Sequence, residues 1–583
     1  MSTALFGRNI RNVPAACLAF LPAALLTLSC SEVLAQTALL PAIPGAGQVL
    51  RELEPSGHAD PVPAVSPVLH TAPTPTASSS PADQTPIAVK SIELFGNTVF
   101  DTETLQSLVS DAQGTTQTLE QLTALAQRIT DYYRANGQPL ANAYLPVQAM
   151  TGGVLRISVV EAVYGRITVD NRSRTQTAQL EAYLAPLQVG QLITQAPLDH
   201  ALLLMRELAG IEVSAEAHPG TLPGSSDLTI TAVDSSRTSV TYVQDNQGSA
   251  GTGRIRAVGT VELSNQLDRN ETVSAVAVTS GKGMSYGRLS LQIPVNGAGT
   301  RMGLGYARLH YSLGSVFASL NANGNAGVLD GFVQHALVRS QLGTVNIDLR
   351  LEQKTLKDRV NSSGTRTDRT LRSATTDLNG ELRDELGGGG RTSFALGYTA
   401  GRVAFDDAVA LGLDQGATGA HTQGAYGRVS LSLARSQNLG NTPALAGTTL
   451  FASMRAQGAN TNLDLSEQMS VAGPQGVRGY DVNALSGAQG YVASLELRQL
   501  LAKNSSGEWQ AKAFFDVGHT TVYKTVFSAV PNSASVSGVG LGLNWAAPTR
   551  WTAQLLVALP VGSSSAIAAE RSTRVWLTAV GKF

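Results

Sequence analysis

A membrane β-barrel of about 16 antiparallel strands, preceded by two small periplasmic α+β units, is the architecture this chain predicts. Three observations carry the expectation. The N-terminus reads as a secretory signal: Arg8 and Arg11 precede an apolar core from Val13 to Leu28, and Val33-Leu34-Ala35 offers a cleavage point after Ala35. Beyond it no apolar run approaches the ~20 residues that a membrane helix needs. The chain closes on an alternating strand, Arg574 to Phe583, tipped by an aromatic residue. A protein that crosses one bilayer and settles in a second cannot carry a long apolar helix. Strands of alternating polarity hide their hydrophobicity from that sorting step.

Composition narrows the function. The chain has 583 residues, enough for several domains, and a formal net charge of -1, so no strong basic field points to nucleic acid. Its two cysteines, Cys17 and Cys30, both lie in the targeting region. Cleavage after Ala35 leaves a mature chain free of cysteine, which excludes disulfides and thiolate metal sites. Lipidation at Cys30 is the competing reading, but the preceding Leu28-Ser29 fits that pattern poorly. The eight histidines show no metal-ligand spacing, and His421 and His519 read as ordinary barrel or loop residues. There is no Walker pattern and no nucleophile elbow, and Gly387–Gly390 reads as a turn. No catalytic residue, metal or cofactor is predicted.

Along the mature chain, residues 36–54 predict a short amphipathic helix with Val49, Leu50 and Leu53 on one face and Pro55 as the stop. Residues 55–87, rich in Pro, Ala, Ser and Thr, form a linker. Extended at about 3.1 Å per residue it reaches roughly 100 Å, enough to pass through a membrane barrel.

Residues 88–162 predict the order β-α-α-β-β. A strand from Val89 to Leu94 meets the Gly96-Asn97 turn, and a helix after Asp101 carries Leu105, Leu108 and Val109. A second helix opens on a capping box, Thr118-Leu119-Glu120-Gln121, and ends at Gly137. Strands fall around Ala143–Gln148 and Val154–Val160. Residues 163–234 repeat the order: a strand near Arg166–Val169, a helix with Leu180, Tyr183 and Leu184, and a helix following Pro197 and capped by Gly210. Strands Ile211–Ala217 and Leu228–Ala232 complete it. The pattern is a divergent tandem duplication.

Residues 235–583 are short alternating runs broken by Gly, Asn, Asp and Ser. Ala553, Leu555 and Val557 share one face; Tyr491, Ala493, Leu495 and Leu497 share another, with Ser494, Glu496 and Arg498 opposite. A soluble β-sandwich alternates in the same way, and it is the signal segment and Phe583 that favour the membrane barrel.

Several stretches carry a family resemblance. They are Phe95-Gly96-Asn97-Thr98, Tyr133 to Gly137, Leu145-Pro146-Val147-Gln148 and Leu155 to Glu161 in the first unit. Pro219-Gly220 and Pro223 to Leu228 carry it in the second, and Val477-Arg478-Gly479-Tyr480 with Phe514-Phe515-Asp516-Val517-Gly518 in the barrel. Together they resemble the two-partner secretion transporters (TpsB type), within the superfamily of polypeptide-transporting outer-membrane barrels. The two α+β units resemble its POTRA domains. Departures are small: Ala162 stands where the family usually has Gly, and Leu208-Ala209-Gly210 where a Pro-Gly pair is usual.

The resemblance implies an outer-membrane pore, with POTRA domains in the periplasm of a Gram-negative bacterium, that secretes one unfolded exoprotein. The partner would be an adhesin, a cytolysin or a haem-scavenging protein. Barrel-assembly machinery would insert the chain into outer-membrane lipid, and Phe583 would end its barrel signal. It also implies a plug helix within 36–54 and a sixth extracellular loop that folds into the lumen, where Arg478 meets Asp516. The residues support that pairing. Phe514, Asp516 and Gly518 share a face opposite Ala513, Phe515 and Val517, so if the apolar set faces lipid Asp516 faces the lumen and wants a cation. Arg478 offers a planar fork, and Gly479 allows a close approach to the wall. The plainer alternative is an Arg in a surface turn and an Asp hydrated by pore water. A barrel-assembly insertase shares both motifs but usually carries more POTRA units without this spacer. A passive porin would lack the tandem units.

Overall fold

The computed structural model describes residues 43–53, 69–71, 85–527, 531–562 and 572–583. The signal segment and most of the linker lie outside the described residues.

Sixteen antiparallel strands close into a barrel. The first eight are β1 (Thr238–Asp245), β2 (Arg256–Ser264), β3 (Thr272–Thr279), β4 (Met284–Pro294), β5 (Thr300–Ser312), β6 (Ala322–Ser340), β7 (Gly343–Val360) and β8 (Thr365–Asp384). β9 (Gly390–Phe405), β10 (Gly424–Asn438) and β11 (Thr448–Ala459) follow. After a long excursion come β12 (Gln489–Asn504), β13 (Gly507–Thr521), β14 (Ser533–Ala546), β15 (Trp551–Val561) and β16 (Arg574–Lys582). Each strand pairs with its neighbours in sequence, and β1 closes on β16 from Thr241↔Lys582 to Asp245↔Thr578. Closure is what lipid demands, because it leaves no unpaired sheet edge in a medium without water.

Alternation then sorts the side chains. On β13 Phe515 is 46 % exposed on the outside, whereas Phe514 is 5 % exposed inside. Leu495 and Leu497 flank buried Glu496 in the same manner on β12. The inner wall is not uniformly polar. Leu309 and Tyr311 on β5, Leu356 on β7 and Leu371 on β8 are inward, apolar and buried. The reason is that something apolar covers them, as described below.

The first periplasmic unit holds a three-stranded sheet of Ser91–Phe95, Val154–Val160 and Asn142–Tyr144 under helices Thr102–Ser107 and Leu119–Ala135. The capping box forms: Thr118 Oγ1 accepts from Gln121 N–H, and Gln121 Oε1 accepts from Thr118 N–H at 2.8 Å. The predicted first strand is broken at Lys90, whose N–H donates to Gly153 O at 2.7 Å instead of continuing the ladder. The piece before the break, Ile87–Val89, pairs with Thr115–Gln117, a strand too short to leave a pattern. Leu145–Gln148 is not strand. The Gln148 amide accepts from Arg156 N–H and donates to Arg156 O, both at 2.8 Å, and so replaces a ladder rung.

The second unit is a four-stranded sheet in the order Leu69–Thr71, Ile211–Pro219, Ser225–Asp234, Val163–Arg172. Helices Thr177–Leu184 and Gln195–Arg206 accompany it. Pro197 sits inside the second helix, in the first turn, where a missing N–H loses no intrahelical bond. This unit is seated on the turns at one end of the barrel. Glu207 ion-pairs with Arg301 at 2.9 Å and Arg339 at 2.7 Å, and Asn265 and Asn270 both donate to Thr175 Oγ1. That end is the periplasmic one.

Candidate functional site

The excursion between β11 and β12, residues 460–488, folds back into the barrel. A two-residue hairpin, Met469–Ser470 with Ser486–Gly487, holds its neck. Val477 and Tyr480 are buried with Val471, Val492 and Val536 in one cluster. Glycines make the approach fit. A Cβ on Gly479 would lie 2.8 Å from Pro560 N, and one on Gly518 would lie 2.4 Å from Val471 Cγ1.

At the tip, Arg478 meets Asp516. Nε donates to Oδ2 at 2.9 Å and Nη2 to Oδ1 at 2.6 Å, a bidentate fork. The Arg478 backbone N–H also donates to Oδ2 at 3.1 Å. Nη1 donates to Glu496, and Ser494 Oγ accepts from Nη2 at 2.8 Å while donating to Asp516 Oδ1 at 2.8 Å. The guanidinium lies 3.5 Å over the Phe514 ring. From β16, Trp576 Nε1 donates to Arg478 O at 2.9 Å. Glu496, Ser494 and Trp576 were not picked out as site residues from sequence. The available signal was Glu496 and Ser494 on the polar face of an otherwise apolar strand.

The rest of the loop is tied down the same way. Asp464 pairs with Arg369 of β8, which also reaches Asp358 of β7 at 2.8 Å. Glu467 pairs with Lys354 of β7 at 3.0 Å and Arg428 of β10 at 3.1 Å. Beyond the tip, Asp481 pairs with Arg254 at 2.6 Å and Arg574 at 3.5 Å. The strand residues among these, Lys354, Asp358, Arg369, Arg428 and Arg574, lie on inward positions.

The N-terminal helix, Ala46–Arg51, lies against β5, β6 and β7 inside the lumen. It is shorter than residues 36–54 allow. Val49 and Leu50 are buried among Leu309, Tyr311, Ala326 and Leu356, and Leu53, just past the helix, packs against the same cluster. Polar contacts mark its two ends. Ala46 N–H donates to Asp358 Oδ1 at 2.7 Å, and the Tyr311 hydroxyl donates to the same oxygen at 2.7 Å. At the other end Glu52 Oε1 accepts from Asn483 Nδ2 of the loop at 2.6 Å. A Cβ on Gly47 would lie 2.7 Å from Ser466 Cβ, so the helix presses its backbone on the loop. Burial pushes the Glu52 carboxyl up to about 7, against the opposing pull of Arg256, Asn483, the Ser249 backbone and Arg51.

In the periplasmic units two features stand out. Backbone pairing lays Leu69–Thr71 parallel to Ala215–Ala217, along the edge of the second sheet. In the first unit Glu161 accepts from Thr98 N–H at 2.7 Å, Val99 N–H at 2.8 Å, the Tyr133 hydroxyl at 2.6 Å and the Thr98 hydroxyl. Burial raises its carboxyl pKa, yet these hydrogen bonds outweigh burial and hold it below the usual range. Phe583 ends the barrel seam: its N–H and C=O both pair with Val240, and its ring meets Trp551 edge-on at 5.8 Å.

A closed barrel with its long loop locked inward, carrying POTRA-type units on its periplasmic end, defines a class, and the family comparison agrees. Residues 224–545 match the model of the haemolysin secretion/activation proteins ShlB/FhaC/HecB, and residues 87–162 match the ShlB-type POTRA domain. The chain belongs to this family: it is a TpsB-type two-partner secretion transporter of the outer membrane, with periplasmic POTRA domains. Among individual proteins it is similar to the heme/hemopexin transporter protein HuxB of Haemophilus influenzae (strain 86-028NP), 24% identical over 79% of this chain and 81% of HuxB. It is 26% identical to the outer membrane transporter CdiB of Dickeya dadantii (strain 3937) over 33% of each chain. The solved CdiB from Escherichia coli superposes with a TM-score of 0.63 at 20% identity, covering 92% of this chain and 96% of CdiB. BamA from Haemophilus ducreyi lacking POTRA domains 1-3 gives 0.53 at 13% identity, over 85% of this chain and 100% of that one. At those identities the solved structures speak for the fold alone, and the insertase reading gains nothing from them.

Proposed function

We propose that this pore recognises one unfolded exoprotein through its two POTRA units and passes it from periplasm to cell surface. The observation that carries the reading is the edge of Ile211–Pro219, where Leu69–Thr71 is already held by main-chain pairing. An edge that accepts the linker in this way accepts an extended cargo segment by the same backbone bonds, with little demand on its sequence. Cargo binding there displaces the linker. The helix carrying Val49 and Leu50 acts as the plug, the Arg478–Asp516 lock sets the loop's resting position, and Phe583 serves as the barrel's C-terminal signal for assembly. The extent of the likeness to HuxB supports a haem-acquisition exoprotein as cargo, ahead of an adhesin or a cytolysin. Folding of the cargo outside the cell supplies the pull.

The test is co-expression with a candidate large exoprotein from the same genome, reading its arrival in the medium, together with a pull-down on the POTRA units. One large secreted protein as client is the expected result. A retinue of barrel proteins, or no change in secretion when the chain is deleted, would sink the reading. For the plug, deletion of residues 36–54 should raise conductance in planar bilayers, and unchanged conductance counts against it.

A further inference from the structure

On the outside of the barrel, β5 to β9 change character along their length. Toward the periplasm the outward positions are apolar, with Leu304 on β5, Leu349 and Leu351 on β7 and Tyr398 on β9 all exposed as a lipid-facing belt. In register, one outward row runs Leu304, Gly331, Leu351, Ala374, Ala400. The next outward row toward the cell surface runs Tyr306, Leu329, Gln353, Arg372, Arg402. Beyond it the same face carries Arg308 on β5, Lys357 and Arg359 on β7 and Arg366 on β8.

Two features of this patch are unusual for a sheet surface. Arg372 stands directly opposite Arg402, and Arg359 directly opposite Arg366. Like charges so placed repel and destabilise the pairing unless an anion lies between them. Arg359 is neutralised locally, because it forks onto Asp368 of β8. Asp368 also stands opposite Lys357 and draws Arg366, and Asp406 and Asp407 begin the following loop. Among the described residues, no carboxylate lies within ion-pair distance of Arg308, Lys357, Arg366, Arg372 or Arg402. Arg372 is oriented by its Nε, which donates to Gln353 Oε1 at 3.0 Å.

We propose that this outward face of β5–β9, just above the apolar belt, binds the phosphate groups of an anionic glycolipid of the outer leaflet, with Arg372 and Arg402 sharing one phosphate. The occupant follows from position and charge. The residues point away from the lumen, so the transported chain does not meet them, and they begin one row beyond side chains that touch acyl tails. A planar guanidinium fork matches phosphate oxygens, and two forks facing one another match one phosphate better than two. Tyr306, in the same row as Arg372 and Arg402, places an amphipathic ring at that boundary.

The full chain, purified from outer membranes in mild detergent, tests this by native mass spectrometry and by thermal unfolding of the barrel. The wild type should carry phosphorylated glycolipid, and R372Q/R402Q should lose at least tenfold in occupancy. Added lipopolysaccharide should raise the wild-type unfolding midpoint by several degrees, while phosphatidylethanolamine vesicles and inorganic phosphate should not. Equal glycolipid on wild type and double variant overturns the proposal, and so does equal protection by inorganic phosphate. If the double variant fails to assemble, wild type with dephosphorylated glycolipid decides: lost protection is expected, and undiminished protection overturns the site.

Discussion

The loop 460–488 and the helix Ala46–Arg51 share one lumen, yet the loop adds four charged ties to its apolar cluster, whereas the helix rests chiefly on apolar contact. The loop is tied through Asp464, Glu467, Arg478 and Asp481 to arginines, a lysine and carboxylates spread over several strands. The helix buries Val49 and Leu50 on Leu309, Tyr311 and Leu356 and keeps few polar contacts at its ends. The two differ in what they demand of a replacement. A buried ion network gains little net stability over an apolar one, but losing one member strands its partner, so it specifies a single position. Apolar burial has no such geometry, which is what the proposed plug requires of a helix that must leave and return. The contrast fits a fixed loop beside a removable plug.

The largest test removes charge from the lock. Arg478→Ala or Asp516→Ala should each cost roughly 3–5 kcal/mol of loop docking, the usual result of stranding a buried charge, and should impair secretion. The double variant should lose less than the sum, and strictly additive losses would refute direct coupling. Next comes the apolar half. Val49→Asp with Leu50→Asp removes about 1.5–3 kcal/mol of burial per side chain and adds charge, so single-channel recordings should approach those of the 36–54 deletion. If conductance stays at the wild-type level, the helix is not the barrier.

A third test uses pH on the same contrast. Docking raises the Glu52 carboxyl to about 7, whereas a released helix exposes it to an ordinary carboxylate value. The docked state is therefore favoured fully at low pH and loses that contribution as pH rises through 7. Above 7 both states are ionised and open-channel frequency should level off; between about 4.5 and 7 it should climb by up to about tenfold per pH unit, and Glu52→Gln should flatten the curve. A wild-type pH profile that is already flat there would remove Glu52 from the gating account. The smallest effects come from adding one methyl. Gly479→Ala meets Pro560 N and should slow secretion, while Gly47→Ala meets the Ser466 backbone and should raise conductance without touching the lock. The same phenotype from both would erase the distinction.

Much of the fold is legible in the chain because its signals are local. Period-two alternation, a capping box and turn glycines each act within a few residues, and closure follows once many such strands must satisfy lipid. Arg478 and Asp516 are legible through the family resemblance of the short runs that carry them, which strand alternation around Asp516 then supports. Their companions are not. Asp464 finds Arg369 across 95 residues and Glu467 finds Lys354 across 113, and no spacing rule connects them. The Leu69–Thr71 strand left no trace either, because main-chain pairing asks almost nothing of side chains.

By itself, then, the sequence determined the alternating strands and the tandem units before them, because those follow from short-range periodicity, and the signal segment turned that alternation into the expectation of a membrane barrel rather than a soluble sandwich. The tertiary structure alone decided that the inner wall of β5–β8 carries an apolar patch covered by a six-residue helix, and that the loop is held at four charged points. Those outcomes depend on which distant groups meet once the cylinder closes. The free energy of burying a charge or a leucine belongs to the pair that meets, and to neither residue alone.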